Sequence, residues 1–152
     1  MGVRDSDNRD IAGSGKMTQA EVKYRLSEAM RKYAAYITAY DTAEAYRRQL
    51  TCGHGGDTGT HIESKAPDEG FIRLTQYALD AELARREWLE ARDRVQEICS
   101  RCEAIQREVL IYRYLNNTRF EDIAARLGYV TGYVFELHRK AIKYLCNILE
   151  TS

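Results

Sequence analysis

Two long runs of apolar residues, spaced by threes and fours, leave this chain few folds to choose from. In the first run Val22, Leu26, Ala29, Tyr33, Tyr36, Tyr40, Ala43 and Leu50 fall on one helical face, broken only by Arg47. In the second, Leu74, Tyr77, Ala81, Ala84, Trp88, Ala91, Val95, Ile98, Cys102 and Ile105 follow without a break. Such a repeat, sustained over several heptads, is the seam of a coiled coil or helical hairpin. Between the runs lies Thr51 to Pro67, TCGHGGDTGTHIESKAP, which holds four of the ten glycines and the only proline. That composition marks a long loop. The fold class expected is therefore all-α, with a long antiparallel helical hairpin over residues 17–103 and the Gly-rich loop 51–67 at its turn. At 1.5 Å per residue the hairpin would extend about 45–50 Å.

The helix ends carry their own signals. Thr18 is placed to cap the first long helix, and Glu21 three residues on completes a capping box. That helix is expected to run to about Leu50. Pro67 or Asp68 starts the second, with Asp68 and Glu69 favourable at its N-terminus. The second seam is expected to pass straight into the helix Ile105 to Leu115. Met1 to Lys16 is polar and reads as a mobile tail. Gly15-Lys16 is not a phosphate-binding loop, because Asp10 and Met17 stand where that motif needs Gly and Ser or Thr, and no strand precedes it. The tyrosines of the first run fit core packing, with hydroxyls at the rim, better than stacking on bases.

A different pattern occupies Phe120 to Leu145, FEDIAARLGYVTGYVFELHRKAIKYL. Ile123 and Leu127 lie one turn apart, Ala124 is the small residue a close helix crossing needs, and Gly128 follows as the residue best suited to positive φ. Val134, Leu137, Ala141 and Leu145 then form one face of a second helix, for which Thr131 is the expected N-cap. Upstream, Asn116-Asn117-Thr118 ends the preceding helix; Asn tolerates the left-handed region, and Thr118 can cap the next one. Together these make a helix-turn-helix head over residues 104–152, its second helix offered to the DNA major groove.

This head resembles region 4 of the sigma-70 type sigma factors. The resemblance runs from about Glu103 to Leu149. It rests on Arg107, Glu108, Leu110, Arg113 and Tyr114, on Glu121 to Gly128, and on Lys140 to Leu145. It implies a module that binds promoter DNA. The front of the second helix departs from that family, which favours Arg, Glu and Gln there; this chain has Thr131, Gly132, Tyr133, Phe135 and Glu136. A single such head on a helical arm is similar to the small phage and prophage regulators of the ArpU and RinA type, which implies a late-gene activator. The DNA-contacting residues expected are Thr131, Gly132, Tyr133, Phe135, Glu136, Arg139, Lys140 and Lys143, with Arg119. Glu136 could accept from a cytosine amino group and Phe135 could touch a thymine methyl, while Arg119, Arg139, Lys140 and Lys143 suit phosphates.

Charge tempers that expectation. The formal net charge is zero, and beyond Ala104 there are 7 Lys and Arg against 5 Asp and Glu, a surplus of two. Double-stranded DNA is the expected partner, but a single head would bind it modestly and with strong salt dependence. Two alternatives stand beside it: a DNA-packaging protein of the small terminase kind, and an interaction protein whose head grips RNA polymerase or another host protein. A homodimer through the arm is also expected, because Met30, Ala34, Ile37 and Tyr46 widen the apolar face of the first long helix, while the second is expected to have little apolar surface to spare. No apolar run approaches the ~18 residues a membrane span needs and no signal peptide is visible, so the expected location is cytoplasmic.

No cofactor, metal site or catalytic constellation is expected. Cys99 and Cys102 form a CxxC pair, and Cys52, His54 and His61 sit in the Gly-rich loop. The pair lies mid-helix and the loop at the other end of the hairpin, so a shared zinc site does not follow. Cys102 is on the seam and fits a small buried hydrophobe, as does Cys146. His138 flanks the inner face of the last helix and fits a structural role.

Overall fold

The computed structural model describes residues 16–52 and 66–150, with backbone only for residues 52 and 66–68. Residues 1–15 of the expected tail and most of the Gly-rich loop, with His54 and His61, fall outside the described residues. Those described form helices α1 (Gln19–Leu26), α2 (Glu28–Cys52), α3 (Ala66–Cys99), α4 (Ala104–Leu110), α5 (Phe120–Leu127) and α6 (Thr131–Ile148). A π-helical turn, Ile111–Leu115, extends α4. Among the described residues the only β pairing is an isolated bridge between Lys16 and Glu150. The protein is all-α. No helix is long and apolar enough to cross a membrane, among the described residues.

The expected capping box is present at the start of α1. Glu21 N–H donates to Thr18 Oγ1 at 3.1 Å, and Thr18 N–H donates back to Glu21 Oε1 at 2.9 Å. The first long helix is interrupted, however. Ser27, at φ −83° and ψ 0°, sits in the bridge region and separates α1 from α2. Directly after it, both carboxylate oxygens of Glu28 accept from Arg94, at 3.2 and 2.7 Å. This planar two-bond geometry orients the start of α2.

The second interruption is larger. The seam was expected to carry α3 straight into the next helix, but α3 ends at Cys99 and α4 begins at Ala104. Arg101 and Cys102 N–H groups donate to the Ile98 and Cys99 carbonyls, each at 3.1 Å. These i→i−3 bonds tighten the last turn, as helix ends do. Ser100 contributes by donating its hydroxyl to the Glu97 carbonyl at 2.6 Å, a local bond of the kind that competes with helix continuation. Glu103 is then extended, at φ −61° and ψ 157°. A side chain from the next helix bonds back over this break: Arg107 Nη2 donates to the Cys102 carbonyl at 3.3 Å.

By packing, the chain divides into two compact units, residues 1–30 with 91–152, and residues 31–90. The boundary thus crosses both long helices and does not fall at 103/104. The reason lies in the larger core of the first unit. Met17, Val22, Leu26 and Ala29 are buried together with Ala91, Val95, Ile98, Cys99 and Cys102, and with Tyr114, Ala141, Ile142, Leu145 and Leu149 of the C-terminal helices. What reads in sequence as the base of an arm is the floor of the head. A second cluster, Val109, Ile123, Ala124, Val134 and Leu137, fills the corner between α5 and α6 and the flank of α4.

The 31–90 unit is the expected antiparallel hairpin. Lys32 Nζ lies 3.3 Å from Glu87 Oε1, Tyr36 stacks on Trp88 with ring centroids 5.7 Å apart, and Tyr46 meets Tyr77 edge-on at 5.3 Å. Tyr33 and Tyr36 pack on Trp88 of the facing helix, whereas Tyr40 meets Tyr36 of its own helix and is exposed. Leu50 reaches Gly70, where an added Cβ would come within 3.2 Å of Leu50 Cδ2. Among the described residues of this unit Ala81 alone is buried, and the large apolar side chains are half-buried or exposed. Two helices bury one stripe each and leave their flanks to water.

Candidate nucleic-acid interface

The corner is built as its residue types require. Gly128 has φ +77°, and both its N–H and that of Tyr129 donate to the Ala124 carbonyl at 2.9 Å. This is the left-handed closure that ends a helix at glycine. No atom lies within 4 Å of where a Cβ on Gly128 would sit, so φ and not space is the constraint. Among the described residues Asn117 is the one non-glycine residue with positive φ, at 53°, which matches its place in the Asn-rich break before α5.

Two expected caps are not made. The residue before α6 is Val130, with no side-chain cap; Thr131 is the first helical residue instead. Likewise Arg119, not Thr118, stands at the N-cap of α5, again with no side-chain cap bond. Thr118 is drawn off by the preceding break. Its N–H donates to the Tyr112 carbonyl at 2.9 Å, and its own carbonyl accepts from Arg113 Nη1 at 3.3 Å.

All nine residues expected to touch DNA lie on α6 or just before α5. Gly132, Tyr133, Phe135, Lys140 and Lys143 are exposed, as are Arg139 and Arg119, while Thr131 and Glu136 are intermediate. The opposite face, Val134, Leu137, His138, Ala141, Ile142 and Leu145, is buried. The front is not a simple row of free groups. Arg139 Nη2 forms an ion pair with Glu136 Oε1 one turn back, and Arg119 Nε lies 3.6 Å from Glu121 Oε1. Phe135 packs on Phe120 at a centroid distance of 4.6 Å, and Tyr133 meets Tyr129 edge-on at 5.0 Å. Lys140 and Lys143 complete the basic flank.

Behind this front is a polar contact that the sequence pattern did not mark. Tyr114 Oη and His138 Nε2 share a buried hydrogen bond of 2.8 Å. The Phe120 and His138 rings meet edge to face, with centroids 5.1 Å apart, and the Arg113 guanidinium lies 4.3 Å over the Phe120 ring. Burial, together with the nearby positive charges of Lys23 and Arg113, pushes His138 down to about 4, so it is neutral at pH 7. Burial also raises the Tyr114 hydroxyl. His138 thus lies on the inner face of α6, where its place in the sequence put it. Its partner is Tyr114, which the π-helical turn brings into reach from 24 residues away.

The CxxC pair is buried as well. Desolvation, with a smaller contribution from Cys102, pushes Cys99 up to about 12, and burial raises Cys102 as well. Both are free thiols held in the core, in the protonated form that is least reactive.

Comparisons of the chain with family models, with curated proteins and with solved structures give no match.

Proposed function

We propose that the protein is a sequence-specific DNA-binding transcription regulator, with the N-terminal half of α6 entering the major groove. The observation that carries this is the corner itself. A glycine-closed turn of three residues joins two helices whose facing sides are buried, while α6 presents its other face to solvent. The uncapped N-terminus of α6 adds backbone N–H groups suited to a phosphate. Arg119, Lys140 and Lys143 supply phosphate contacts, and Arg139 supplies another if DNA draws it from Glu136. Phe135 and Tyr133 offer apolar contact to thymine methyls. The resemblance to sigma region 4 and to the ArpU and RinA type regulators extends the reading to late genes of a phage or prophage.

The test is selection of bound DNA from a random pool, followed by titration against salt. An enriched motif is expected. Four phosphate contacts would give a log–log salt slope of about −3.6 for one head, at −0.9 per contact. Arg139→Ala with Lys140→Ala should weaken binding on all sequences, and Glu136→Ala should change the preferred base. An unenriched pool, with retention untouched by the double change, overturns the reading.

A second reading has its own observation. Tyr129, Val130, Tyr133 and Phe135 are large apolar side chains that remain exposed around the turn. Such a patch also suits a protein partner. On this reading the head grips RNA polymerase or another host protein, and Tyr133→Ala would abolish that contact without altering DNA retention.

A further inference from the structure

The back of α3 carries a feature opposite to expectation. The second long helix was expected to have little apolar surface left once its seam was paired. Instead Ile72, Leu79 and Leu83 are 57%, 58% and 56% exposed, and neighbouring Phe71 is 68% exposed. Single exposed apolar residues are ordinary. These are not scattered. Their spacings are seven and four, so at about 100° per residue they fall within roughly 40° of one another. The paired seam, Leu74, Tyr77, Ala81, Ala84 and Trp88, lies roughly 150° away. The helix therefore bears a second heptad stripe, and all of it lies within the 31–90 unit.

We infer that this stripe, from Glu69 to Arg86, pairs antiparallel with the same stretch of a second copy of the chain. The charges at its ends select that occupant. A two-fold axis midway between Tyr77 and Ala78 sets Ile72 against Leu83 of the second copy and Gln76 against Leu79. The same register sets Glu69 against Arg86, and on one flank Arg73 comes beside Asp80. Because the interface is isologous, every pairing occurs twice. The result is an apolar middle closed at both ends by opposite charges, a self-complementary pattern. A parallel pairing would place Glu69 against Glu69 and Arg86 against Arg86, like on like. Arg86 already lies 3.6 Å from Glu82 of its own helix, so in the dimer its guanidinium would bridge two carboxylates. The inference stands independently of the DNA reading. It moves the homodimer contact from the first long helix, where the sequence placed it, to the second.

Sedimentation equilibrium of the full chain over about 1–500 μM, the range in which weak pairs form, tests it. The mass should double across that range. Leu79→Glu should hold it at the monomer value with helicity and Tm unchanged, since Leu79 is exposed. Arg86→Glu should weaken association at least tenfold, and adding Glu69→Arg to it should restore the wild-type value. A monomer at every concentration overturns the inference. So does a dimer that survives Leu79→Glu, a dimer broken by Ile37→Glu but not by Leu79→Glu, or a charge exchange that fails to restore pairing.

Discussion

The Tyr114–His138 pair shows how one buried bond sets a pH dependence. His138 has an ordinary value of 6.5 and a folded value of about 4. Between those values the unfolded chain takes a proton that the folded chain refuses. Stability is therefore fully present above pH 6.5 and falls as the pH drops towards 4, by up to about 3 kcal/mol. Carboxylates titrate in part of the same window, so the measurement is a difference. Denaturant unfolding of wild type and His138→Gln should show a steeper loss for wild type between pH 6.5 and 4. Parallel curves would mean that His138 binds a proton as readily in the fold as in the unfolded chain. Two glycines of the corner separate backbone from space in a similar way. Gly128 has φ +77° and open surroundings, so Gly128→Val should cost about 1–3 kcal/mol through strain alone. Gly132 has open surroundings and no positive φ, so Gly132→Ala should stabilise α6 by about 0.5–1 kcal/mol. If Gly132 faces a DNA groove, the added methyl should weaken DNA binding while raising Tm, and the two readouts move in opposite directions.

At the scale of elements, the crossing of α5 and α6 depends on Ala124. It is 3% exposed and packed among Val109, Ile123, Val134 and Leu137. A larger side chain there has no free volume, so Ala124→Leu should cost about 1–3 kcal/mol by overpacking. Thermal melts of the full chain check this; an unchanged Tm would mean that the crossing is looser than its burial implies. The break between α3 and α4 matters to the same corner. It allows α4 to leave the line of the seam, so that Val109 joins the corner cluster while Leu110 joins the larger core. One short helix thereby belongs to both cores. The π-helical turn has a comparable effect on Tyr114, which joins the larger core and meets His138.

At the scale of the whole molecule, the two units differ in how much they bury. The first has a continuous core of fully buried aliphatic side chains, including Val22, Leu26, Val95, Leu110, Ile142 and Leu145. The second buries Ala81 and otherwise relies on half-exposed aromatic contacts. Local opening is cheapest where few apolar groups are buried. Amide hydrogen exchange should therefore be faster in 31–52 and 69–90 than in 91–99 and 134–145, by at least about tenfold, or 1.4 kcal/mol. At concentrations where α3 pairs with a second copy, protection of 69–86 should rise. Equal protection in both units would show that they open as one.

Much of this architecture was legible because it depends on residue type and short-range spacing. The seams, the capping box of Thr18 and Glu21, the left-handed Gly128, the buried Ala124 and the two faces of α6 all follow from intervals within a few turns of one chain segment. The sequence by itself determined that the protein is helical and which helix faces are apolar. Tertiary packing decided the rest. It made the base of the hairpin part of the head, because Val22 and Val95 find their partners in Ile142 and Leu145, far along the chain. It ended α3 at Cys99 although the heptad continues, since four residues of irregular chain let α4 serve two cores. It moved the N-cap of α5 from Thr118 to Arg119 once Thr118 was held by Tyr112 and Arg113. It paired His138 with Tyr114, a contact no periodicity encodes. It also left Ile72, Leu79 and Leu83 exposed, because a helix with two apolar stripes can turn only one of them to a single partner.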